Sequence, residues 1–363
     1  MTRLRMAVIG VGHLGKEHAR ILAGLPEVEL VGVADTNQEQ AQAVAKRLGT
    51  QAFSEYWPLL NLVDAASIVV PTSLHEPVAA EFLRRGIPVL VEKPLAPTAL
   101  EAEKLADLAE KNGALLQVGH IERFNPAFEE VKRRNLQPKF IRAERLAPFT
   151  GRSFDIGVVL DLMIHDLDLI LALVEAPVVS VDALGVSVFG AHEDMANARL
   201  HFANGCVAEI TASRVHPTPY RQMHLWGAEG YAGLDFAQRR VTLMQPSAAV
   251  RAHGLDPSKL DPASRALLKD ELFGRHLETY AIDGKSQDQL TCELEEFVDC
   301  VQTGASPRAG GAAGRDAVAL AEQILASLRN HAWMGNAPGP AGPCNVPEPV
   351  GMLFPPRVEQ EVA

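Results

Sequence analysis

Two apolar periods alternate over the first 120 residues. Leu4–Ile9, Val28–Ala34, Ala66–Val70, Pro88–Val91 and Leu115–Gly119 are short continuous runs with the length of buried strands. Between them, Gly15–Leu25, Gln38–Leu48, His75–Arg85 and Thr98–Asn112 place their apolar residues at helical spacing. Strands alternating with helices of about 10–15 residues predict βαβ units, with a parallel sheet covered by helices on both faces.

After Arg123 the pattern changes. The spacing predicts one long apolar helix over Asp155–Val174, then strand-length runs at Val178–Phe189, Ala196–Phe202, Cys206–Arg214, Arg221–Trp226 and Tyr231–Phe236. Asn204-Gly205 between two of these runs is a hairpin signal, so an antiparallel or mixed sheet is expected. Pro246–Gln289 is polar and proline-punctuated and reads as a loop with one helix near Ala263–Phe273. Helices follow over Leu290–Thr303, with Gly304 where a C-terminal cap belongs, and over Arg315–Met334. From Gly335 proline and glycine dominate without a period, which reads as an irregular tail. The expected class is α/β: a doubly wound parallel sheet over 1–120, an α+β domain with a large open, mostly antiparallel sheet over 121–334, and a tail over 335–363. The last helix is expected to pack back on the first domain.

Composition narrows the function. The 363 residues carry 34 Lys plus Arg against 45 Asp plus Glu, a net charge of −11, which disfavours broad nucleic-acid binding. Four cysteines without CxxC spacing argue against a disulfide framework or structural zinc. Met6–Val11 is too short for a secretion signal, and Ile156–Val174 carries Asp161, His165, Asp166 and Asp168, which no membrane span would. A cytoplasmic protein is expected, with no membrane or nucleic-acid partner.

Gly10-Val11-Gly12-His13-Leu14-Gly15 is G-x-G-x-x-G between the first strand and the first helix, the dinucleotide-binding fingerprint of a Rossmann domain. Gly10 permits the tight turn, Gly12 lets backbone approach a pyrophosphate, and Gly15 lets helix pack on strand. His13 and Leu14 sit where the helix N-terminus offers N–H groups to phosphate. Asp35, followed by Thr36, ends the second strand; an acid there accepts from the ribose hydroxyls and repels a 2′-phosphate, favouring NAD over NADP. A packing turn beside a solvated aspartate is the competing reading.

Val70-Pro71-Thr72-Ser73-Leu74-His75 and Glu92-Lys93-Pro94, with Gly119-His120, Arg123-Phe124 and Asp161-Leu162-Met163-Ile164-His165, make the chain resemble the glucose–fructose oxidoreductase/inositol dehydrogenase/MocA family of NAD(P)-dependent oxidoreductases. The resemblance covers nearly everything except the tail. It implies that Lys93 lies at the nicotinamide end of the cofactor and polarises the reacting oxygen, with Pro94 cis. It further implies that Pro71, Thr72, His75 and Glu92 contribute to the cofactor side. For His75, a purely structural bond at a helix start is the alternative. Members of this family dimerise or form tetramers through the open sheet, so a homo-oligomer is expected.

Asp161 and His165 are four apart and Asp168 is seven from Asp161, which on a helix gives one polar stripe. The resemblance assigns this stripe to the substrate pocket opposite Lys93. His165 is then the candidate general base, with Asp161 orienting substrate or holding the imidazole. A metal site from Asp161, His165 and Asp168 and a satisfied core histidine are the other readings; the family's chemistry needs no metal.

The run Gly119–Pro126, with Asp194–Arg199 and Ala212-Ser213-Arg214, resembles a nucleotide-sugar branch that oxidises C3 of UDP-N-acetylglucosamine ahead of transamination for lipid A. His120, Arg123 and Asn125, with Arg214, are the candidate substrate contacts, and Arg123, Asn125 and Arg214 are the candidate donors to a diphosphate. Surface arginines and an Asn capping the helix at Pro126 are the alternative. A dehydrogenase of a free sugar or inositol-like polyol, and a glycoside hydrolase that recycles bound NAD, are the competing activities.

Overall fold

The computed structural model describes residues 3–151, 156–188, 192–284, 288–333 and 338–341. The expected ends at Asp155, Phe189 and Met334 lie outside the described residues, as does the tail from Gly335 apart from 338–341.

The N-terminal elements run β1 (Leu4–Ile9), α1 (Gly15–Gly24), β2 (Val28–Ala34), α2 (Gln38–Leu48), β3 (Gln51–Phe53), β4 (Ala65–Ile68), α3 (His75–Leu83), β5 (Val89–Glu92), α4 (Ala99–Asn112) and β6 (Leu116–Gly119). The six strands are parallel in the order β3-β2-β1-β4-β5-β6. Strand order reverses between β1 and β4, so a crevice opens there outside the carboxyl ends of the strands. The three-residue β3 escapes the sequence reading because it is too short to show a period.

The chain continues through α5 (Pro126–Arg133), β7 (Pro138–Leu146), a π turn (Val159–Met163) leading into α6 (Ile164–Val174), and then β8 (Val178–Val186), β9 (Met195–Phe202), β10 (Val207–Ser213), β11 (Tyr220–Gly227), β12 (Gly230–Asp235) and β13 (Arg240–Pro246). It closes with α7 (Ala248–His253), α8 (Pro262–Glu271), β14 (Leu277–Asp283), α9 (Gln289–Thr303) and α10 (Gly311–Asn330). The second sheet has eight strands in the order β14-β13-β12-β11-β7-β10-β9-β8, with β7 and β10 parallel and the other neighbours antiparallel. The stretch 246–289 is therefore not simply a loop: β14 pairs with β13 along its whole length. Its alternation is invisible in sequence because it is an edge strand with almost no buried face.

Ile141, Ala143, Met223 and Leu225 on the inner face of this sheet pack against Leu167 and Ile170 of α6. The C-terminal helices join both halves. Ala317 and Val318 of α10 lie in the core of the first sheet, whereas Leu320, Ala321, Ile324 and Leu328 lie in the core of the second. Leu290, Leu294 and Phe297 of α9 cover Met6, Val8 and Val33 of the first sheet. Each buried Leu, Ile, Val or Phe among these contributes about 1.5–3 kcal/mol. Ile164, at the start of α6, also belongs to the first core, so α6 begins where the two halves meet. The described tail residues lie along the free edge of β8: Ser187 N–H donates to Ala341 O (2.7 Å), and Ala341 N–H donates to Gly185 O (3.2 Å).

Candidate functional site

The glycine loop closes over the carboxyl end of β1. Gly10 has φ +85°, and a Cβ there would lie 2.4 Å from Val69 O, so no other residue fits. At Gly15 a Cβ would lie 1.9 Å from Gly10 O. A Cβ on Gly12 would meet nothing within 4 Å, which leaves its backbone open to an approaching ligand. The loop borders a cavity of about 630 Å³ whose lining includes Gly10, Gly12, Asp35, Thr36, Val70 and Pro71. Asp35 is held at its wall by the N–H groups of Val11 (2.9 Å) and Asn37 (2.8 Å). Leu14 gives α1 no side-chain cap, so the positive end of that helix is left for a ligand. His13 and Leu14 are exposed at the loop tip, and Thr72 opens the short turn before α3. This cradle fits a dinucleotide whose diphosphate crosses Gly12.

Around Lys93 the side chains divide into those that hold the loop and those that face the cleft. The Lys93–Pro94 peptide is cis. Lys93 Nζ donates to Asp161 O (2.7 Å) and to Asp161 Oδ1 (3.2 Å). His75, expected on the cofactor side, instead bridges two loops: Nδ1 lies 2.8 Å from Pro94 O and Nε2 lies 2.9 Å from Val70 O. Buried between the two carbonyls, the ring donates its single N–H to one of them and positions the cofactor loops without facing the cleft. Glu92 is likewise buried: its carboxylate accepts the Lys93 N–H (3.1 Å) and lies 3.2 Å from His18 Nε2. Burial alone would raise that carboxyl, but His18 and Lys93 beside it hold it below its ordinary value. Gly119 lies so close that a Cβ would sit 2.9 Å from the Glu92 carboxylate.

The π turn changes how the polar stripe is used. Asp161 faces Lys93, not His165, so the sequence picture of Asp161 holding the imidazole is replaced by an Asp161–Lys93 pair. Asp168 is buried and forms two 2.7 Å hydrogen bonds with Arg123. Asp161, His165 and Asp168 therefore do not converge, and among the described residues no group of three metal-binding side chains does. His165 Nδ1 is buried without a hydrogen-bond partner, which leaves Nε2 as the nitrogen open to the cleft. Burial, reinforced by the positive charges of Lys93 and Arg145, holds this imidazole well below its ordinary 6.5. His120 is buried 3.8 Å from Asp168, and burial outweighs that charge and lowers it too.

A stability prediction follows. Burial also lowers His75, so three imidazoles stay neutral in the folded chain where they would protonate in the unfolded one. Below about pH 6.5 the unfolded state binds more protons, and stability falls as pH drops. The melting midpoint should decline between about pH 7 and pH 5.5, less steeply than the histidines alone would give because the buried Glu293 carboxyl binds its proton more readily in the folded chain, and His120→Asn should flatten that slope. A midpoint that stays level across this window in the native protein contradicts the assignment.

The expected phosphate donors are largely spent on the protein. Arg123 is neutralised by Asp168, and Arg214 is paired with buried Asp194 (2.7 Å) and donates to Ile156 O. Asn125 is fully buried: its amide donates to Glu122 and Phe236 O, and its Oδ1 caps α5 through Ala127 N–H. These three corrections share a cause, since residue type reveals capacity to donate but not which acceptor has been met. Other contributors went unread. Gln40 lines the cofactor cavity and bonds Val11 O, and stacked Tyr56 and Trp57 form its far wall. The Trp57-Pro58 pair was their one sequence signal. Glu293 of α9 is fully buried near Glu92, and burial drives its carboxyl far above the ordinary carboxylate range.

Comparison with known proteins agrees with this geometry. Residues 4–120 match a family model described as "Oxidoreductase family, NAD-binding Rossmann fold", and residues 132–232 match the GFO/IDH/MocA C-terminal domain. The chain is 38% identical over 329 residues to UDP-N-acetylglucosamine 3-dehydrogenase of Acidithiobacillus ferrooxidans, covering 90% of this chain and 98% of that protein. A solved structure of that enzyme superposes with a TM-score of 0.79 at 36% identity, again over 90% and 98% of the two chains. A scyllo-inositol 2-dehydrogenase (NAD(+)) of Bacillus subtilis is 28% identical over 84% of this chain and 88% of its own.

Proposed function

From the premise that the chain belongs to the GFO/IDH/MocA family of NAD-dependent oxidoreductases, we propose that it oxidises a ring hydroxyl of a nucleotide sugar, with C3 of UDP-N-acetylglucosamine as the best-supported position. The observation that carries the chemistry is Lys93 Nζ, at the carboxyl end of β5, meeting Asp161 beside the open face of His165. The 38% identity to an enzyme of that activity carries the substrate.

NAD would be held along Gly10–Gly15 and by Asp35, and would supply the acceptor for the hydride leaving the ring carbon. Lys93 donates a hydrogen bond to the reacting oxygen and stabilises its negative charge as it develops. His165, neutral at pH 7, takes the hydroxyl proton at Nε2. Asp161 keeps the ammonium aimed at the cleft. Glu92 and His75 fix the loops that carry Lys93. His120 is buried behind this site, 3.8 Å from Asp168.

Incubating the protein with NAD and a panel of UDP-sugars, free N-acetylglucosamine and inositols while following NADH absorbance tests the reading. UDP-N-acetylglucosamine should give the highest kcat/KM. NADH formed from free polyols alone would overturn the substrate assignment, and cleavage of an aryl glycoside without net NADH would identify a hydrolase.

Self-association through the outer face of the second sheet is part of the proposal, supported by Trp226 stacked on Phe140 and exposed there. Among the described residues no helix is long and apolar enough to cross a membrane, which supports a cytoplasmic location.

A further inference from the structure

We propose that Arg221 is the cation that reads the diphosphate of the substrate and so separates nucleotide sugars from free sugars. The inference rests on the reading above and assigns its anion subsite.

On the antiparallel β7–β11 pair, Arg221 stands directly opposite Arg145, so both side chains leave the same face of the sheet. That is the inner face, since Met223 and Leu225, in phase with Arg221, are buried in the core under α6. Arg221 is nevertheless exposed, whereas Arg145 opposite it is 3% exposed. The inner face therefore leaves the core between Met223 and Arg221, on the side of the sheet that carries α6 and His165.

Charge bookkeeping then isolates Arg221. Arg145 is saturated by Asp166 (two bonds of 2.9 Å) and Glu122 (2.8 Å). Lys93 is held by Asp161, Arg123 by Asp168 and Arg214 by Asp194. The Arg221 side chain makes no hydrogen bond or ion pair among the described residues; its charge is felt by the buried Glu122 and Asp166, which Arg145 already holds, and by His165, whose imidazolium it disfavours. An exposed guanidinium on the inner face, directly opposite a second guanidinium that holds both nearby carboxylates, suits an anion that arrives with the ligand. Its planar fork matches phosphate oxygens in a bidentate way. In a chain of net charge −11, such a local donor is what offsets the unfavourable overall field for a dianionic substrate.

The test compares native protein with Arg221→Gln and Arg221→Lys, using UDP-N-acetylglucosamine and a free sugar or inositol as alternative substrates. Arg221→Gln should raise KM for the UDP-sugar about 10- to 100-fold with little change in kcat, and weaken inhibition by UDP in the same proportion. Arg221→Lys should recover part of the loss, because the charge returns without the fork. NAD affinity, measured by fluorescence titration, and turnover of the free sugar should stay as in the native protein. Added salt should raise the native KM for the UDP-sugar but not that of Arg221→Gln. An unchanged KM in Arg221→Gln, or an equal loss with the free sugar, overturns the role of Arg221. If the native protein oxidises no UDP-sugar, the substrate reading itself fails and the subsite fails with it.

Discussion

Lys93→Met is expected to lower kcat by about 10²–10⁴-fold, the range for loss of a positioned proton donor or charge stabiliser, while NAD affinity changes little. The two effects separate because of where the side chain points. The cofactor cradle is built by Gly10, Gly12, Asp35 and the cavity between β1 and β4, none of which touches Lys93. Lys93 spends its ammonium on Asp161, 68 positions along the chain, across the junction between the two halves. Methionine keeps most of the stem volume, so the loop held by Glu92 and His75 has no reason to move. Stopped-flow single turnover with saturating NAD is the direct measurement. Turnover at the native rate would remove Lys93 from the mechanism. A loss of NAD binding as large as the loss of rate would make it a structural residue of the cradle.

The largest stability effect is expected at Arg145. Replacing it with methionine should cost about 3–5 kcal/mol, read as a lowered denaturant midpoint. The guanidinium is 3% exposed and is the shared partner of Asp166 and Glu122, both almost fully buried. Although burial disfavours its charge, those two carboxylates hold Arg145 firmly protonated. Without it, two carboxyls are left in a low-dielectric site, and both are far more expensive there than the methionine is favourable. Adding Asp166→Asn to Arg145→Met should recover part of the loss, since one of the stranded charges is gone. A single variant within about 1 kcal/mol of the native protein would mean that the network contributes nothing net.

What could be read from the sequence was what local pattern encodes. The parallel half was legible because buried βαβ strands are continuous apolar runs and their helices carry a clear period. Gly10, Gly12, Gly15 and Asp35 were legible because each answers a backbone or ligand constraint at fixed spacing. The losses come from non-local geometry. Asp161 and His165 are four apart, but the π turn at Val159–Met163 aims the carboxylate at Lys93 instead. Arg123 and Asn125 have the chemistry of ligand donors, yet Asp168, Glu122 and the start of α5 claim them. Arg221 was the reverse case. A charged residue at the start of a strand looks solvent-facing, and only its register with Arg145 places it on the inner face. β14 was hidden because an edge strand with no buried side lacks the alternation that marks a strand.

The covering of the first sheet by α9 has a consequence for how the chain is made. Gly119 ends β6, and Gln289 begins the helix that shields Met6, Val8 and Val33, 170 residues later (289 − 119). At about 5–20 residues per second, the nascent sheet waits about 10–30 s for that cover. Through that interval the glycine loop and all six strands of the sheet are already outside or entering the exit tunnel, with α1 and α2 on that face but the part that α9 covers still bare. The order of synthesis therefore makes the dinucleotide half the first to emerge but leaves it unfinished until the last helices are made, and dependent in the cell on whatever shelters exposed apolar surface in the meantime.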